Sequence, residues 1–389
     1  MKQALVIEPV LGNNYGSLTP TVEGIVRELT NSFYTRKISI EAPYLLDAIL
    51  DVGRSPENVI FYGWFGFDLT INGLNAGTPK QVASFLKAKQ IAIVDDPIFA
   101  PWIFERVKRA SSKVKFLCTS PLLYSQVREI REAETEISRV EIPAPIPIIP
   151  LESTPSFDDR KYDILIPCSA TELDIEHLVT RGQRDLGLGD LATQYIDIVK
   201  LNVSHTTYSR FDSYEFSRKF FFSTIPGLRE KVRHPIEYPQ ILNFVWEVDC
   251  WIRHSFRIEV IRSICRTRGL RIRLLSDSGL KLDANADLEV TAPVRGEDYY
   301  NLLLDSRYVV DIAVTGATAM HIRAKSAFAA GAAVISNNVT LSSILDLDEM
   351  FRIDVNKLRS QPDWLQRRIQ GYSYIKQISY APIIEEVLA

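Results

Sequence analysis

Short apolar runs alternate along this chain with stretches in which apolar residues recur at helical spacing. This is the pattern of buried strands joined by crossover helices. In the N-terminal part, the runs Ala4–Ile7, Ile38–Ile40, Asn58–Tyr62, Ile91–Val94 and Lys113–Cys118 predict strands. Thr19-Pro20 makes an N-cap and first helical position, with Val22, Ile25, Val26 and Leu29 as one helical face. Pro43–Leu50, Pro79–Ala88 and the basic, amphipathic Trp102–Ala110 predict further helices. Such alternation builds an open parallel sheet with helices on both faces. Loops at the carboxyl ends of its strands face the ligand crevice, which puts Glu8, Asn13, Trp64 and Asp96 near one edge.

The rhythm then breaks. Glu141–Pro150, EIPAPIPIIP, is apolar but too rich in proline for a helix, and Ser153–Asp159 is polar, so this region reads as an extended linker. A second alternating series starts at Tyr162–Pro167. Between Thr171 and about Pro239 charges and aromatic residues mix without a legible period. Ile241–Thr267 predicts a long helix carrying Arg253 and Arg257, which share a face expected to be solvated. Leu270–Leu275 and Phe351–Asp354 predict strands, Glu297–Leu304 a short helix, and Pro362–Leu388 a helical tail. The expected organisation is an N-terminal Rossmann-like domain over 1–145, a linker over 146–160, a C-terminal Rossmann-like domain over 161–360 and a tail over 361–389.

The most informative stretch is Tyr308–Asn338. Tyr308–Val314 is a β-branched, buried strand. Thr315-Gly316-Ala317-Thr318 is a turn of small residues. Ala319–Ala330 suits a helix that buries Met320, Ala324, Ala327 and Phe328; Gly331 stops it, and Ala333–Ser336 is the next strand. A helix that opens on such a loop presents unpaired N–H groups and the positive end of its dipole, a site suited to a phosphate or pyrophosphate. An ordinary crossover without ligand has the same composition.

Composition narrows the class. With 389 residues, two domains are the default. Hydrophobic content of 46% and charged content of 24% are those of an ordinary globular protein, and no window reaches the length of a membrane span. A net charge of -3 supplies no global field toward nucleic acid, although a local basic patch is compatible with it. The start, MKQALVIEPV, has too short an apolar part for a signal peptide. The four cysteines lack paired spacing, as expected of buried thiols in a reducing, cytoplasmic setting with no zinc site.

Two Rossmann-like domains, a proline-bearing linker and a helical tail resemble the GT-B glycosyltransferases. Their architecture is two such domains facing each other across a cleft. Asp305–Asn338 resembles the donor-binding part of the spore-maturation-type, group-1-like members. The matching features are Tyr299, Tyr300 and Leu304 before the strand, the small-residue loop, and Arg323 followed by Ala327, Ala330 and Gly331. Asp95-Asp96-Pro97 and the segment Arg257 to Gly279 also resemble that group. The related pattern carries a glutamate where this chain has Ser326, and a serine cannot make the paired, charge-assisted grip of a carboxylate on a ribose.

The resemblance implies sugar transfer from a nucleotide-activated donor to a hydroxyl of a glycan, lipid-linked or small-molecule acceptor. No nucleic-acid partner, resident cofactor or metal is expected. No D-x-D motif is expected at a strand end of the C-terminal half. Transfer requires stabilisation of the leaving diphosphate, orientation of the acceptor hydroxyl and exclusion of water. The phosphate candidates are Thr315, Gly316, Ala317, Thr318, His321 and Arg323; a solvated helix face competes for Arg323, and a surface or capping role for His321. Nucleotide candidates are Ser276, Asp277, Ser278, Gly279, Ser326 and Asn337, most of which also suit plain turns. Asp96, with Glu8 second, is the candidate base, because adjacent carboxylates hold protons more tightly; helix capping before Pro97 competes. Asn13, Tyr15 and Trp64 are acceptor candidates. An inactive GT-B-shaped binding protein and a nucleotide-sugar epimerase are the alternative functions. Neither G-x-S-x-G nor a Walker A pattern is present.

Overall fold

The computed structural model describes residues 2–8, 18–63, 67–71, 80–95, 98–131, 135–168, 170–203, 211–276, 280, 282, 285–294, 296–312, 320–338, 341–346 and 355–388. The chain divides into two units, Met1–Pro145 with Ile378–Ala389, and Ile146–Gln377.

The first unit is built on β1 (Gln3–Glu8), α1 (Leu18–Leu29), β2 (Tyr34–Ser39), α2 (Leu45–Val52) and β3 (Val59–Tyr62). A small hairpin of β4 (Thr70–Ile71) and β5 (Lys80–Gln81) interrupts the series. It resumes with β6 (Lys89–Val94), α3 (Pro101–Arg109), β7 (Val114–Cys118), α4 (Pro121–Ile130) and β8 (Ile137–Arg139). All six strands of the main sheet run parallel, in the order β2-β1-β3-β6-β7-β8. One core cluster joins Val6, Phe61, Ile93 and Leu117 of the sheet to Val22, Ile25 and Leu29 of α1. The last helix of the chain also lies in this unit, contributing Ile383 and Val387 to the same cluster.

Pro79–Ala88 is expected as a helix, but its described part is β5 at Lys80–Gln81 followed by a single 3-10 turn at Val82–Ser84. Its apolar residues do recur at near-helical spacing, but tertiary bonds claim the backbone. Val82 N–H donates to Leu69 O (2.8 Å), and the amides of Lys87 and Ala88 both donate to Gly53 O (2.8 and 3.2 Å).

The second unit opens with β9 (Tyr162–Ile166), then a helical insertion of α5 (Ile175–Arg184), α6 (Asp190–Asn202) and α7 (Ser213–Thr224), and the long α8 (Pro239–Cys265). The stretch without a legible period is thus largely helical. Its aromatic residues converge on the buried Tyr195, whose ring meets Phe216, Phe220, Phe221 and Phe244 with centroids 5.1–5.6 Å apart. There follow β10 (Arg271–Leu275), β11 (Asp287–Thr291), α9 (Gly296–Leu304), β12 (Ser306–Asp311), α10 (Ile322–Ala329), β13 (Ala333–Ser336) and β14 (Ile344–Asp346). The short α11 (Val355–Leu358), α12 (Gln361–Gln377) and α13 (Ala381–Leu388) complete the chain, α13 being the helix that packs in the first unit. The strand expected at Phe351–Asp354 lies outside the described residues.

This second sheet is also all parallel, in the order β11-β10-β9-β12-β13-β14. Counted from its first strand that is 3-2-1-4-5-6, the order of a dinucleotide-binding sheet, with its reversal between β9 and β12. Ile164, Leu165, Tyr308, Val309 and Val334 are fully buried, as strands covered on both faces require.

The amino-terminal edge of this sheet is a structural network. Arg160 is fully buried and donates to the carbonyls of Leu303, Ser306, Ala330 and Gly331, closing the C-terminal ends of α9 and α10. Burial lowers its pKa to about 9, which still leaves it a cation at neutral pH. Asp163, also at this edge, accepts from Arg307 and from the Arg271 amide (2.8 Å). Gly331 ends α10 as expected, with φ of 68°, where a side chain would also meet Thr154.

Candidate functional site at the carboxyl edge of the second sheet

The carboxyl ends of β9 and β12 mark the reversal of strand order, where open α/β sheets bind ligands. β12 ends on Asp311, an acid that closes the apolar run Tyr308–Val310 and is almost wholly buried. Its Oδ1 lies 3.1 Å from His321 Nδ1 and 3.5 Å from an Arg323 Nη1, and its Oδ2 accepts from Ser336 Oγ at 3.5 Å. Burial pushes the Asp311 carboxyl up, but His321, Arg323 and Ser336 outweigh it and hold it below the ordinary carboxylate value. Asp311 is therefore an anion that orients two basic side chains at the start of α10.

His321 is the N-cap of α10. Its Nδ1 is 3.2 Å from the Arg323 amide as well as 3.1 Å from Asp311. One ring nitrogen cannot serve both: with a proton it donates to Asp311, without one it accepts from the amide. The helix begins at Ile322, later than Ala319, so the first amides of α10 follow His321 directly. Met320, Ala324, Ala327 and Phe328 are buried as expected.

Other groups collect at the same edge. Cys168, just beyond β9, is within electrostatic reach of Arg323, Arg257 and Asp311; burial pushes its thiol up, so it is not a thiolate nucleophile. Burial likewise pushes Tyr299 of α9 up to about 12, with Arg323 and Asp311 as its charged neighbours. His254 Nδ1 of α8 accepts the Thr171 amide at 2.9 Å, tying the loop after β9 to α8. Burial, then Arg257 and Arg253, lower its pKa.

Arg253 departs from the expected solvated face. It is nearly buried, bonded to the interior Asp249 and placed 4.8 Å over the Trp246 ring. Ser326 is buried, and its hydroxyl donates to Ile322 O one turn back at 2.9 Å, which commits its proton to its own helix. Asn337 and Asn338, both buried, follow β13 at this edge; the Asn338 amide donates to Ser336 Oγ at 3.0 Å. Ser276 follows β10, is buried, and donates its amide to Thr291 O at 2.8 Å.

Thr315, Gly316, Ala317, Thr318, Asp277, Ser278 and Gly279 lie outside the described residues, as do Asn13, Tyr15, Trp64 and Asp96 in the first unit. There, Glu8 ends β1 beside the reversal between β1 and β3, where its carboxylate pairs with Lys37 at 3.3 Å. Asp95 ends the β6 region and accepts from the Thr119 hydroxyl.

The residue missed by sequence reasoning is Asp311, the acid that faces the expected His321 and Arg323. The available signal was the acid itself, since a lone carboxylate in a buried strand needs partners. The polarity of the strands separates Asp311 from Asp163. One ends β12 at the ligand edge, whereas the other is second in β9 at the structural edge. The expected absence of D-x-D at a strand end also needs correction: β14 ends on Asp346, the first acid of the sequence Asp346-Leu347-Asp348, whose other two residues lie outside the described residues. Among the described residues no group of three or more His, Cys, Asp or Glu is arranged to hold a metal ion, and no helix is long and apolar enough to cross a membrane.

No protein-family model and no curated protein matches the sequence. Solved structures do match. One of an alpha-glucosyltransferase (AGT) in complex with UDP superposes with a TM-score of 0.53 at 9% identity, covering 100% of both chains. Another, of alpha-glucosyltransferase with UDP and a 13-mer DNA containing an HMU base, gives 0.53 at 7% identity, again with 100% coverage of both. A third, with UDP and a 13-mer DNA containing a central A:G mismatch, gives 0.51 at 8% and the same coverage. The chain has the GT-B glycosyltransferase fold. At these identities the likeness is one of architecture alone.

Proposed function

We propose that this GT-B chain is a glycosyltransferase that moves a sugar from a nucleotide-activated donor to an acceptor hydroxyl without a metal ion. The observation that carries the proposal is the buried Asp311 holding Arg323 and His321 at the carboxyl edge of a 3-2-1-4-5-6 sheet. As the bond from the anomeric carbon to the diphosphate breaks, negative charge grows on the leaving oxygens. Arg323 and Arg257 supply fixed positive charge there, and a guanidinium keeps that charge at any working pH. The small-residue loop Thr315–Thr318 is assigned to the phosphates, and Ser276–Gly279 with Asn337 to the nucleoside. With its hydroxyl proton given to Ile322 O, Ser326 is assigned to the ribose only as an acceptor.

In the first unit, Asp96 is assigned as the base that takes the acceptor proton. Glu8 ranks below it because its carboxylate already pairs with Lys37. Asn13, Tyr15 and Trp64 are assigned to the acceptor. Glycan, lipid-linked and small-molecule hydroxyls remain in the acceptor set, and the DNA held by neighbours of the same fold adds nucleic acid to it.

UDP is the first probe, because neighbours of this fold were solved with it. The expected results are a raised melting temperature with millimolar UDP and turnover of a UDP-sugar that survives EDTA. Turnover abolished by EDTA and restored by a divalent ion would move the chemistry to Asp346-Leu347-Asp348. Absence of stabilisation by any nucleoside diphosphate would remove the transfer proposal.

A further inference from the structure

The helical insertion of the second unit carries a surface pocket of about 430 Å³, lined by Glu215, Arg218, Lys219, Phe222, Arg229, Val232 and Arg233. Glu215, Arg218, Lys219 and Phe222 recur at helical spacing and form one face of α7. The opposite face, with Tyr214, Ser217, Phe220 and Phe221, is buried against the insertion's aromatic core. Arg229 and Arg233 come from the returning segment.

That segment is firmly built. His234 and Glu237 form a capping box, and the His234 ring stacks on Tyr214 with centroids 4.0 Å apart. The ring also bonds through Nε2 to Tyr214 O at 3.2 Å. The pocket is thus a fixed concavity on a folded scaffold.

Its charge is far from the chain average. Four cations face a single carboxylate, on a protein whose net charge is -3. Glu215 is shared between Arg218 (3.4 Å) and Lys219 (3.6 Å), and among the described residues that line the cavity cations outnumber carboxylates by three; Glu237, which accepts the Arg233 amide at 2.8 Å, stands beside the lining. Folding does not require like charges to be gathered this way, and they repel one another unless an anion lies between them. The volume is that of a ligand site and far exceeds one phosphate. Phe222 adds a ring face, with the Arg229 guanidinium 5.4 Å from its centroid. No large exposed apolar residue lies between positions 211 and 238, so a lipid surface would find nothing to enter it. Cations grouped around an aromatic ring match single-stranded nucleic acid, whose phosphates need charge and whose bases stack on rings.

We propose that this pocket is a nucleic-acid binding site that takes a single-stranded segment through its phosphates and one base. The expectation of no nucleic-acid partner rested on a charge summed over the whole chain, which does not describe this face. The site stands independently of the transfer proposal, since none of its residues belongs to the Asp311 cluster.

The test is fluorescence anisotropy of the full chain with a labelled oligothymidylate, across a salt series, with a duplex of equal length and polyphosphate as competitors. The double variant Arg218→Glu/Arg229→Glu is compared with a charge-matched control elsewhere on the insertion, Arg184→Glu/Lys200→Glu. Wild type is expected to bind with salt-dependent affinity. The pocket variant is expected to lose at least about tenfold and to flatten the salt slope by roughly one to two. Phe222→Ala is expected to lose about fivefold or more. The control is expected to change neither. UDP stabilisation, read on the same samples, separates a misfolded variant from an emptied pocket and keeps this result distinct from that of the donor site. The proposal is overturned by wild type that does not bind the oligonucleotide, by a control that loses as much as the pocket variant, or by polyphosphate and duplex competing as well as single strand while Phe222→Ala binds normally.

Discussion

Asp311→Asn keeps the shape of the side chain and removes its charge. In the native chain the carboxylate is 1% exposed, with His321 Nδ1 at 3.1 Å and an Arg323 guanidinium nitrogen at 3.5 Å. Hydrogen bonds to charged groups contribute about 1.5–3 kcal/mol, and breaking a fully buried ion pair costs about 3–5 kcal/mol. The Arg323 side chain retains 21% exposure, so water relieves part of its lost partner. A cost of about 2 kcal/mol follows, roughly thirtyfold in the unfolding equilibrium.

Arg323 also loses its anchor, and UDP affinity should fall about tenfold, the worth of one fixed charge-assisted contact. The pH dependence has a definite sign. The folded carboxyl sits below its ordinary value of 3.8, so its stabilisation is present above that value and is lost as pH falls through the folded pKa. The gap between wild type and Asp311→Asn is therefore present above that value and closes in acid. Urea unfolding at pH 7 and pH 3.5, with UDP titrations at pH 7, measures both effects. Equal urea midpoints and equal UDP affinity at pH 7 would refute the role assigned to Asp311.

Other consequences of the structure are open to measurement. Arg160→Met should lower stability by about 3 kcal/mol or more, because buried carbonyls at the ends of α9 and α10 lose their donor; denaturant unfolding reads this directly. Gly371→Ala would drive a methyl into the ring of the fully buried Phe328, where α12 lies against α10, and should cost about 1–3 kcal/mol by the same assay. Burial pushes His234 from 6.5 down to about 3, so the folded state holds it neutral while the unfolded chain takes up a proton. Stability should fall as pH drops from about 6.5 toward 3, and His234→Gln should flatten that fall in a pH series of urea midpoints.

The parts of the fold that could be read from sequence were those where one force dominates. Tyr308–Val310 and Ala333–Ile335 are buried on both faces, so their apolar runs are unbroken and their strands plain. The start of α4 went unread although it carries a cap signal, with Ser120 accepting the Leu123 amide and Pro121 opening the helix. The insertion was opaque because its helices bury aromatic residues against one another; the consecutive Phe220 and Phe221 on α7 blur a 3.6-residue period. Pro79–Ala88 misled because its helical spacing was overridden by bonds to Leu69 and Gly53, which are distant in sequence. At the candidate site, His321 and Arg323 were visible as residue types near a small-residue loop. Asp311, the group that fixes them, was concealed inside a strand that otherwise matched its template, and only the register of that strand put it at the ligand edge.

The most direct measurement is isothermal titration of UDP into the wild-type chain and into Arg323→Ala, with far-ultraviolet circular dichroism to confirm that both are folded. The account predicts saturable binding to wild type and a loss of at least about tenfold in the variant. Binding that is unchanged in Arg323→Ala, or absent from the wild type, would contradict a diphosphate site at the start of α10.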